Sequence, residues 1–414
     1  MTTASLATLE TPILDATLPS LLQQITEEGG YAFASMATRA AAGDTRAAEA
    51  SREMAWEQLH SGPWHSVVPI WRDAYAVACL HVAKHQFSAR EFKLALRALD
   101  MGLIMGGLTL RDDLNLCIGK VGAALRGEEF SDNGGREQNG AWYKDFNLAE
   151  VRFVSVLFLS NSVALKSAEM SIVREKVWPV LGRILAGTFV SGYPVIITDA
   201  MNHWPAKDRW NDMNYLNKVA GFRTVPVEVG KNYLSPDWKQ ELITFSEFLE
   251  RIQSSDCSSA GLTYLAQHQL FDQIQELKQD IVVPDYCFAG GGEIRSLNAW
   301  FGPPGTVTPL HHDPHHNILA QVVGKKYIRL YPSSLLGELY PHSESMLSNS
   351  SQVDLDNIDE KEFSRMLDLE FLDCILEEGE MLYIPPKWWH YVRSLTPSFS
   401  VSFWWSDEVN SPES

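Results

Sequence analysis

The sequence predicts an α+β protein: an N-terminal α-helical domain ahead of a C-terminal double-sheet β-domain of the jelly-roll or barrel kind. Three observations predict it. The chain has 414 residues, too many for one ordinary core. From Leu18 to about Leu125, Ala, Leu, Glu and Arg dominate and β-branched runs are scarce, which is the texture of helices. From Gly192 onward, short runs of β-branched and aromatic residues alternate with turn residues.

Residues 1–16 read as a disordered lead and residues 17–126 as a helical bundle or repeat-like domain. Gly43-Asp44 ends one helix and starts the next, since Gly suits the residue after a helix and Asp caps a new one. Ser88-Ala89-Arg90-Glu91 reads as a capping box. Beyond it Phe92, Leu96, Leu99 and Leu103 form an apolar stripe at helical spacing. A preceding helix, about Trp64 to Gln86, meets this one through a short turn, and short links make antiparallel neighbours. No repeat consensus stands out, so the domain is best labelled a helical bundle.

Residues 127–146 form a polar, Gly-rich linker that includes Gly127-Glu128-Glu129 and Ser131-Asp132-Asn133-Gly134-Gly135. Residues 147–191 read as a packed connector with one strand-like stretch, Val151 to Leu159. The β-domain spans 192–408, followed by a tail, 409–414. Strands are expected at Tyr193–Ile197, Val225–Val229, Leu297–Phe301, Asn317–Val323, Lys326–Tyr331, Met381–Ile384 and Phe399–Trp404. Helices are expected at Phe245–Ile252 and Phe271–Ile281. Val323-Gly324-Lys325 reads as a tight hairpin turn.

Hydrophobic residues make up 45% of the chain and charged residues 21%, the profile of a globular protein. The net charge of -18 argues against nucleic-acid binding through the bulk field and favours basic protein partners, besides keeping the chain in solution. Five scattered cysteines without a C-x-x-C pair read as reduced thiols, hence a nuclear or cytoplasmic setting. The most apolar run, Val154 to Ser160, is too short to cross a bilayer, so no membrane role is expected.

The chemistry-bearing motif is His311-His312-Asp313. Residues two apart on a strand share a face, so His311 and Asp313 can reach one ion. His390 follows the strand Met381–Ile384 and supplies a second imidazole. Two His and one carboxylate on one face of an octahedral ion leave three positions open, the arrangement of non-haem Fe(II) oxygenases. H-x-D or H-x-E alone is weak, and His342-Ser343-Glu344 is another such match. The segment Gly379 to His390, a glycine, a strand, two prolines and a histidine, raises the signal. A zinc site is disfavoured because zinc draws on Cys or several His. His312, His315 and His316 read as rim residues or as groups that orient the ligands.

Asn298-Ala299-Trp300-Phe301-Gly302-Pro303, Pro309-Leu310-His311-His312-Asp313-Pro314 and Lys326-Tyr327-Ile328-Arg329-Leu330-Tyr331 together resemble the JmjC domain, a double-stranded β-helix of the cupin class. Trp204-Pro205, Val225-Pro226-Val227-Glu228, Tyr264-Leu265-Ala266-Gln267-His268 and Phe399 to Trp405 extend the resemblance. It is nearest the branch of Jumonji domain-containing protein five (lysine demethylase eight), and there the plant members linked to the circadian clock. It covers Gly192 to Ser406 and Glu27 to Leu108.

The resemblance implies Fe(II) on His311, Asp313 and His390, 2-oxoglutarate as cosubstrate, and O2. It implies cosubstrate contacts from Tyr264, Thr308, Asn317 and Lys326. A distal carboxylate wants one fixed cation and hydroxyl donors, which Lys326, Tyr264 and Thr308 can supply. Glu228, Gln267 and Trp300 are implied around the substrate, Glu228 pairing with a cation and Trp300 stacking on it or packing in the core. The implied activity is histone H3 lysine demethylation in the nucleus, with a role in transcription and circadian regulation. Arginyl C3-hydroxylation of basic proteins is the alternative. A catalytically silent scaffold whose helices dock a protein partner is the reading from a different class.

Overall fold

The structure, a computed structural model, describes residues 8–132, 174–176, 192–254, 261–344 and 346–406. The strand-like stretch at 151–159, most of the expected linker and connector, the tail and Cys257 lie outside the described residues. Two compact units emerge, residues 1–138 with 221–225, and residues 139–220 with 226–414.

Among the described residues, the first unit holds six α-helices: α1 (Pro12–Glu27), α2 (Tyr31–Ala41), α3 (Thr45–Leu59), α4 (Ile70–Ser88), α5 (Phe92–Met105) and α6 (Arg111–Asp132). Each packs against the next, as their short links require. Helix α4 is central. Ala74, Ala76, Ala78 and Ala83 along it are fully buried, and their small side chains let several helices close in on it. Phe92, Leu96, Leu99 and Leu103 all bury on α5, as their spacing predicts. Asp44 caps α3 by accepting from Ala47 N at 3.0 Å, and Gly43 before it has φ +100°.

Three expectations for this region need correction. The lead expected to be disordered through residue 16 is folded from residue 8. Leu9, Thr11 and Leu14 are buried, and Asp113 of α6 accepts from Leu14 N at 2.7 Å and Ile13 N at 3.3 Å. A carboxylate from 100 residues away thus satisfies donors that the helix start leaves free. Ser88 is not a cap. It is the last residue of α4, with its hydroxyl donating to Lys84 O, while Arg90 turns the chain at φ +62°. Helix α6 continues through Gly127-Glu128-Glu129, past the boundary expected at 126, since an established helix gains one hydrogen bond per added residue.

Residues 221–225 belong to this unit. There Arg223 pairs with the fully buried Asp100 through Nη2 at 2.6 Å and Nε at 3.0 Å, and Thr224 N donates to the same carboxylate at 2.8 Å. A buried charge is tolerated only when so paired.

Among the described residues, the second unit is built on thirteen strands: β1 (Arg174–Lys176), β2 (Val195–Thr198), β3 (Thr224–Val229), β4 (Lys239–Thr244), β5 (Thr263–His268), β6 (Glu293–Gly302), β7 (Val307–His312), β8 (His316–Val323), β9 (Lys326–Tyr331), β10 (Leu372–Leu376), β11 (Met381–Ile384), β12 (Trp389–Ser394) and β13 (Ser398–Ser406). A nine-stranded sheet runs β1-β2-β11-β8-β13-β6-β5-β3-β4, and a four-stranded sheet runs β10-β9-β12-β7. Leu319, Leu382 and Ile384 of the large sheet share one core with Ile328, Leu330 and Val392 of the small one. The two sheets therefore face each other. The other side of the large sheet carries an aromatic stack, with Trp210 on Phe399 at 4.2 Å and Phe399 on Phe301 at 4.3 Å. The other side of the small sheet is covered by the excursion between β9 and β10, through Leu339, Val353, Phe363 and Met366.

Two readings fail here. Gly324 does not close a hairpin, because β8 and β9 lie in different sheets and do not pair. The turn carries the chain across the sandwich. Its φ is +76° and a Cβ would fall 2.0 Å from Pro397 O, so glycine is required on both counts. The helix expected over Phe271–Ile281 is two short turns, Leu270–Gln273 and Gln275–Lys278, broken at Ile274 by an extended backbone.

Candidate metal centre

His311 on β7 and His390 on β12 are direct cross-strand partners. Asp313 follows β7, and Lys387 N donates to its carbonyl at 2.7 Å, tying the two ligand-bearing segments together. His390 Nε2 lies 3.5 Å from Asp313 Oδ2, and His311 Nε2 lies 3.9 Å from Asp313 Oδ1. One ligand atom from each of the three residues lies within 4.8 Å of the others. It is the one group of three or more such residues with this convergence among the described residues.

The tautomers are set by the backbone. His311 Nδ1 is 2.8 Å from Pro309 O and His390 Nδ1 is 3.0 Å from Trp388 O. A carbonyl only accepts, so each Nδ1 carries the proton and each Nε2 presents a lone pair to the centre. Burial pushes the Asp313 carboxyl up, and burial with the nearby His311 holds the His390 imidazole well below its ordinary value. Two imidazole Nε2 atoms beside a buried carboxylate form a donor set that a divalent cation completes.

A β-bulge shapes the chamber. His311 pairs with His390 and Thr308 pairs with Val392, so β7 takes three steps where β12 takes two. The extra residue puts Thr308 on the face that carries His311, although residues three apart on a regular strand point oppositely. Thr308 then meets Tyr264 of β5, where its hydrogen bond partly offsets the upward push of burial on the phenol. Tyr264 OH accepts from Lys326 Nζ at 3.4 Å.

Lys326 is 1% exposed and has no carboxylate partner among the described residues. Burial pulls its ammonium down to about 7. Asn317 on β8 is buried, and its Oδ1 has no hydrogen-bond partner; Trp404, opposite it on β13, has an unpartnered buried Nε1. A buried cation without an anion and an unpaired indole N–H fit a dicarboxylate, whose oxygens accept from both.

The three candidate substrate residues lie on β3, β5 and β6, which are neighbours in the large sheet. Glu228 on β3 is the cross-strand partner of Tyr264, and burial pushes its carboxyl up. Trp300 on β6 donates Nε1 to Ser402 Oγ at 2.9 Å, packs against the inter-sheet core, and lies 6.2 Å from the Tyr264 ring. Gln267 lies where the β5–β6 register slips, exposed, with φ +45°.

His312 and His316 are not the groups that orient the ligands. His312 points to the opposite face and meets Trp389 edge-on at 4.7 Å, while His316 stacks on Trp405 and is 2.8 Å from Tyr383 OH. His315 stands 5.9 Å from Trp404. The orienting groups are the carbonyls of Pro309 and Trp388. Sequence reasoning missed them because a main-chain acceptor has no residue signature. It also missed Trp404, which read as one of several strand aromatics.

Comparison with known proteins follows the same division. Residues 11–135 match the family described as KDM8-like, N-terminal ARM repeats, so the helices are a repeat array rather than a plain bundle. Residues 186–411 match the cupin-like domain family. The chain is 62% identical to lysine-specific demethylase JMJ30 of Arabidopsis thaliana over 415 residues, 98% of this chain and 96% of that protein. It is 37% identical to lysine-specific demethylase 8 of Xenopus tropicalis, covering 86% and 87% of the two chains. It is 35% identical to Jumonji C domain-containing protein 5 of Drosophila melanogaster, covering 84% of each.

Proposed function

The chain belongs to the JmjC cupin-like family that carries KDM8-like N-terminal ARM repeats, and on that premise we propose that it is an Fe(II)- and 2-oxoglutarate-dependent protein oxygenase whose foremost reaction is demethylation of histone lysine. The observation that carries this reading is the convergence of His311, Asp313 and His390 within 4.8 Å beside a buried, anion-free Lys326. The relatives named as lysine-specific demethylases support the choice of reaction.

In this reading the two Nε2 atoms and the Asp313 carboxylate would hold Fe(II), and as only three protein ligands they would leave room for the cosubstrate. Lys326, Tyr264 and Thr308 hold the distal carboxylate of 2-oxoglutarate, with Asn317 and Trp404 as further donors at the same chamber. Bound there, iron and keto acid supply a two-electron oxidation of a substrate C–H bond by O2, with succinate and CO2 as coproducts. The chain's own part is to fix both groups, to keep water out between the two sheets, and to present the substrate carbon. Oxidation of an N-methyl group releases formaldehyde and the demethylated amine.

Arginyl C3-hydroxylation is the second reading, because the same centre oxidises a side-chain methylene to a stable alcohol. Glu228 supports a cationic substrate side chain in either case. A catalytically silent scaffold is disfavoured by the buried Lys326, which a non-enzymatic cupin has no reason to keep unpaired. The natural setting on this reading is the nucleus, with action also in the cytoplasm, on histone tails or other basic proteins, in transcription and circadian regulation. The ARM repeats would present a surface to a protein partner.

The deciding experiment incubates the protein with Fe(II), 2-oxoglutarate and methylated histone-tail or arginine-bearing peptides, and follows succinate together with peptide mass. Loss of a methyl group supports demethylation, gain of one oxygen supports hydroxylation, and undiminished turnover in His311→Ala would place the chemistry elsewhere.

A further inference from the structure

β7 is an outer strand of the small sheet, and an outer strand leaves backbone groups in need of partners. Residues 349–351 supply them. His312 N donates to Asn349 O at 2.9 Å, Ser351 N donates to Leu310 O at 2.8 Å, and Asn349 Nδ2 donates to His312 O at 3.1 Å. Ser350 itself is bridged to His311. Its hydroxyl is 3.0 Å from Tyr233 OH, and Ser350 is only 2% exposed.

Tyr233 comes from the loop that follows β3, the strand of Glu228. That loop is internally braced. Asn232 Oδ1 accepts from Leu234 N at 3.0 Å, Ser235 N donates to Asn232 O at 3.0 Å, and Trp238 N donates to Ser235 O at 3.1 Å. Gly230 N anchors its start on Leu262 O at 3.1 Å. A second tie between the same two segments, Lys231 to Asp354 at 2.5 Å, is exposed, and exposed pairs contribute little. The Tyr233 hydroxyl lies near enough to both Asp313 and Glu228 for their charges to add to the upward push of burial.

We propose that the part-buried Tyr233–Ser350 hydroxyl pair is a latch that sets the Glu228 side of the chamber against the His311 strand, which makes Tyr233 a positioning residue for the carbon to be oxidised. This rests on the oxygenase reading above. It matters because a displacement of about 1 Å between reacting groups can lower a rate about 100-fold.

The test uses the full chain, Fe(II), 2-oxoglutarate and whichever peptide the wild type oxidises, and measures succinate and oxidised peptide in the same reaction. Tyr233→Phe removes only the hydroxyl. Oxidised peptide per succinate is expected to fall about 2- to 10-fold, the equivalent of one hydrogen bond, with the KM for 2-oxoglutarate unchanged. Ser350→Ala is expected to do the same, the double variant no more than either single one, and Ser350→Thr to restore the ratio. Tyr233→Phe suffices should Ser350→Ala fail to fold. A wild-type ratio in Tyr233→Phe, or equal losses of both products, overturns the latch. A wild-type protein that forms no succinate overturns the oxygenase reading and the latch together.

Discussion

His311 and His390 face each other as a cross-strand pair on β7 and β12, with ring centroids 4.1 Å apart. Each imidazole is locked by a carbonyl two residues earlier in its own chain, Pro309 or Trp388. The centre is thus organised before any ion arrives, which limits the ordering that binding must accomplish.

Removing a ligand should therefore separate metal binding from folding. Asp313→Ala is expected to lower Fe(II) affinity and succinate formation by more than about 100-fold, beyond what loss of a mere orienting partner does. Asp313→Asn should lose the metal as well, yet raise the thermal midpoint of the metal-free protein, because it removes a buried carboxylate that burial disfavours. Metal titration and thermal melts of the metal-free protein check both halves.

Lys326 makes a pH prediction. Its ammonium titrates near 7 in the fold against an ordinary lysine value of 10.5. Between these values the unfolded chain holds more protons than the native one, so stability of the cosubstrate-free protein rises with pH across that window. A dicarboxylate reverses the preference. At pH 8 its binding should draw about one proton from buffer onto Lys326, as read by calorimetry in buffers of different ionisation enthalpy. Lys326→Met should abolish the uptake and weaken 2-oxoglutarate binding about 10- to 100-fold, the worth of a charge-assisted hydrogen bond.

In the helical unit, Asp100 is fully buried and Arg223 supplies its neutralising charge. Arg223→Met is expected to cost about 3–5 kcal/mol, because it leaves that charge unpaired. Asp100→Asn with Arg223→Met should recover part of the loss. Denaturant melts of the two variants measure the difference.

Gly324→Ala combines a left-handed backbone with a Cβ 2.0 Å from Pro397 O. A loss of about 1–3 kcal/mol or more is expected. Gly337→Ala, where a Cβ meets nothing within 4 Å, serves as the control, and thermal midpoints compare the two.

Much of the architecture could be read along the chain. The stripe Phe92, Leu96, Leu99 and Leu103 announced α5, and Met381–Ile384 formed as the strand expected. These elements depend on local periodicity and on the burial of one face. The folded start at residue 8 was illegible because its stabilising partner, Asp113, lies about a hundred residues on. Ser88 misled for the opposite reason: its hydroxyl found a nearer acceptor, Lys84 O, within its own helix.

The sequence by itself determined the order of helices and strands, the family texture, and which residues carry donor chemistry: His311, Asp313, His390 and Lys326. Tertiary structure alone decided that Gly324 crosses between sheets, that a bulge turns Thr308 toward His311, that His312 looks away, and that the β5–β6 register slips at Gln267. The physical reason is that periodicity records how one segment divides its faces between core and solvent. Register, bulges and sheet crossings are settled by hydrogen bonds between segments far apart in the chain, and those leave no repeating mark in either one.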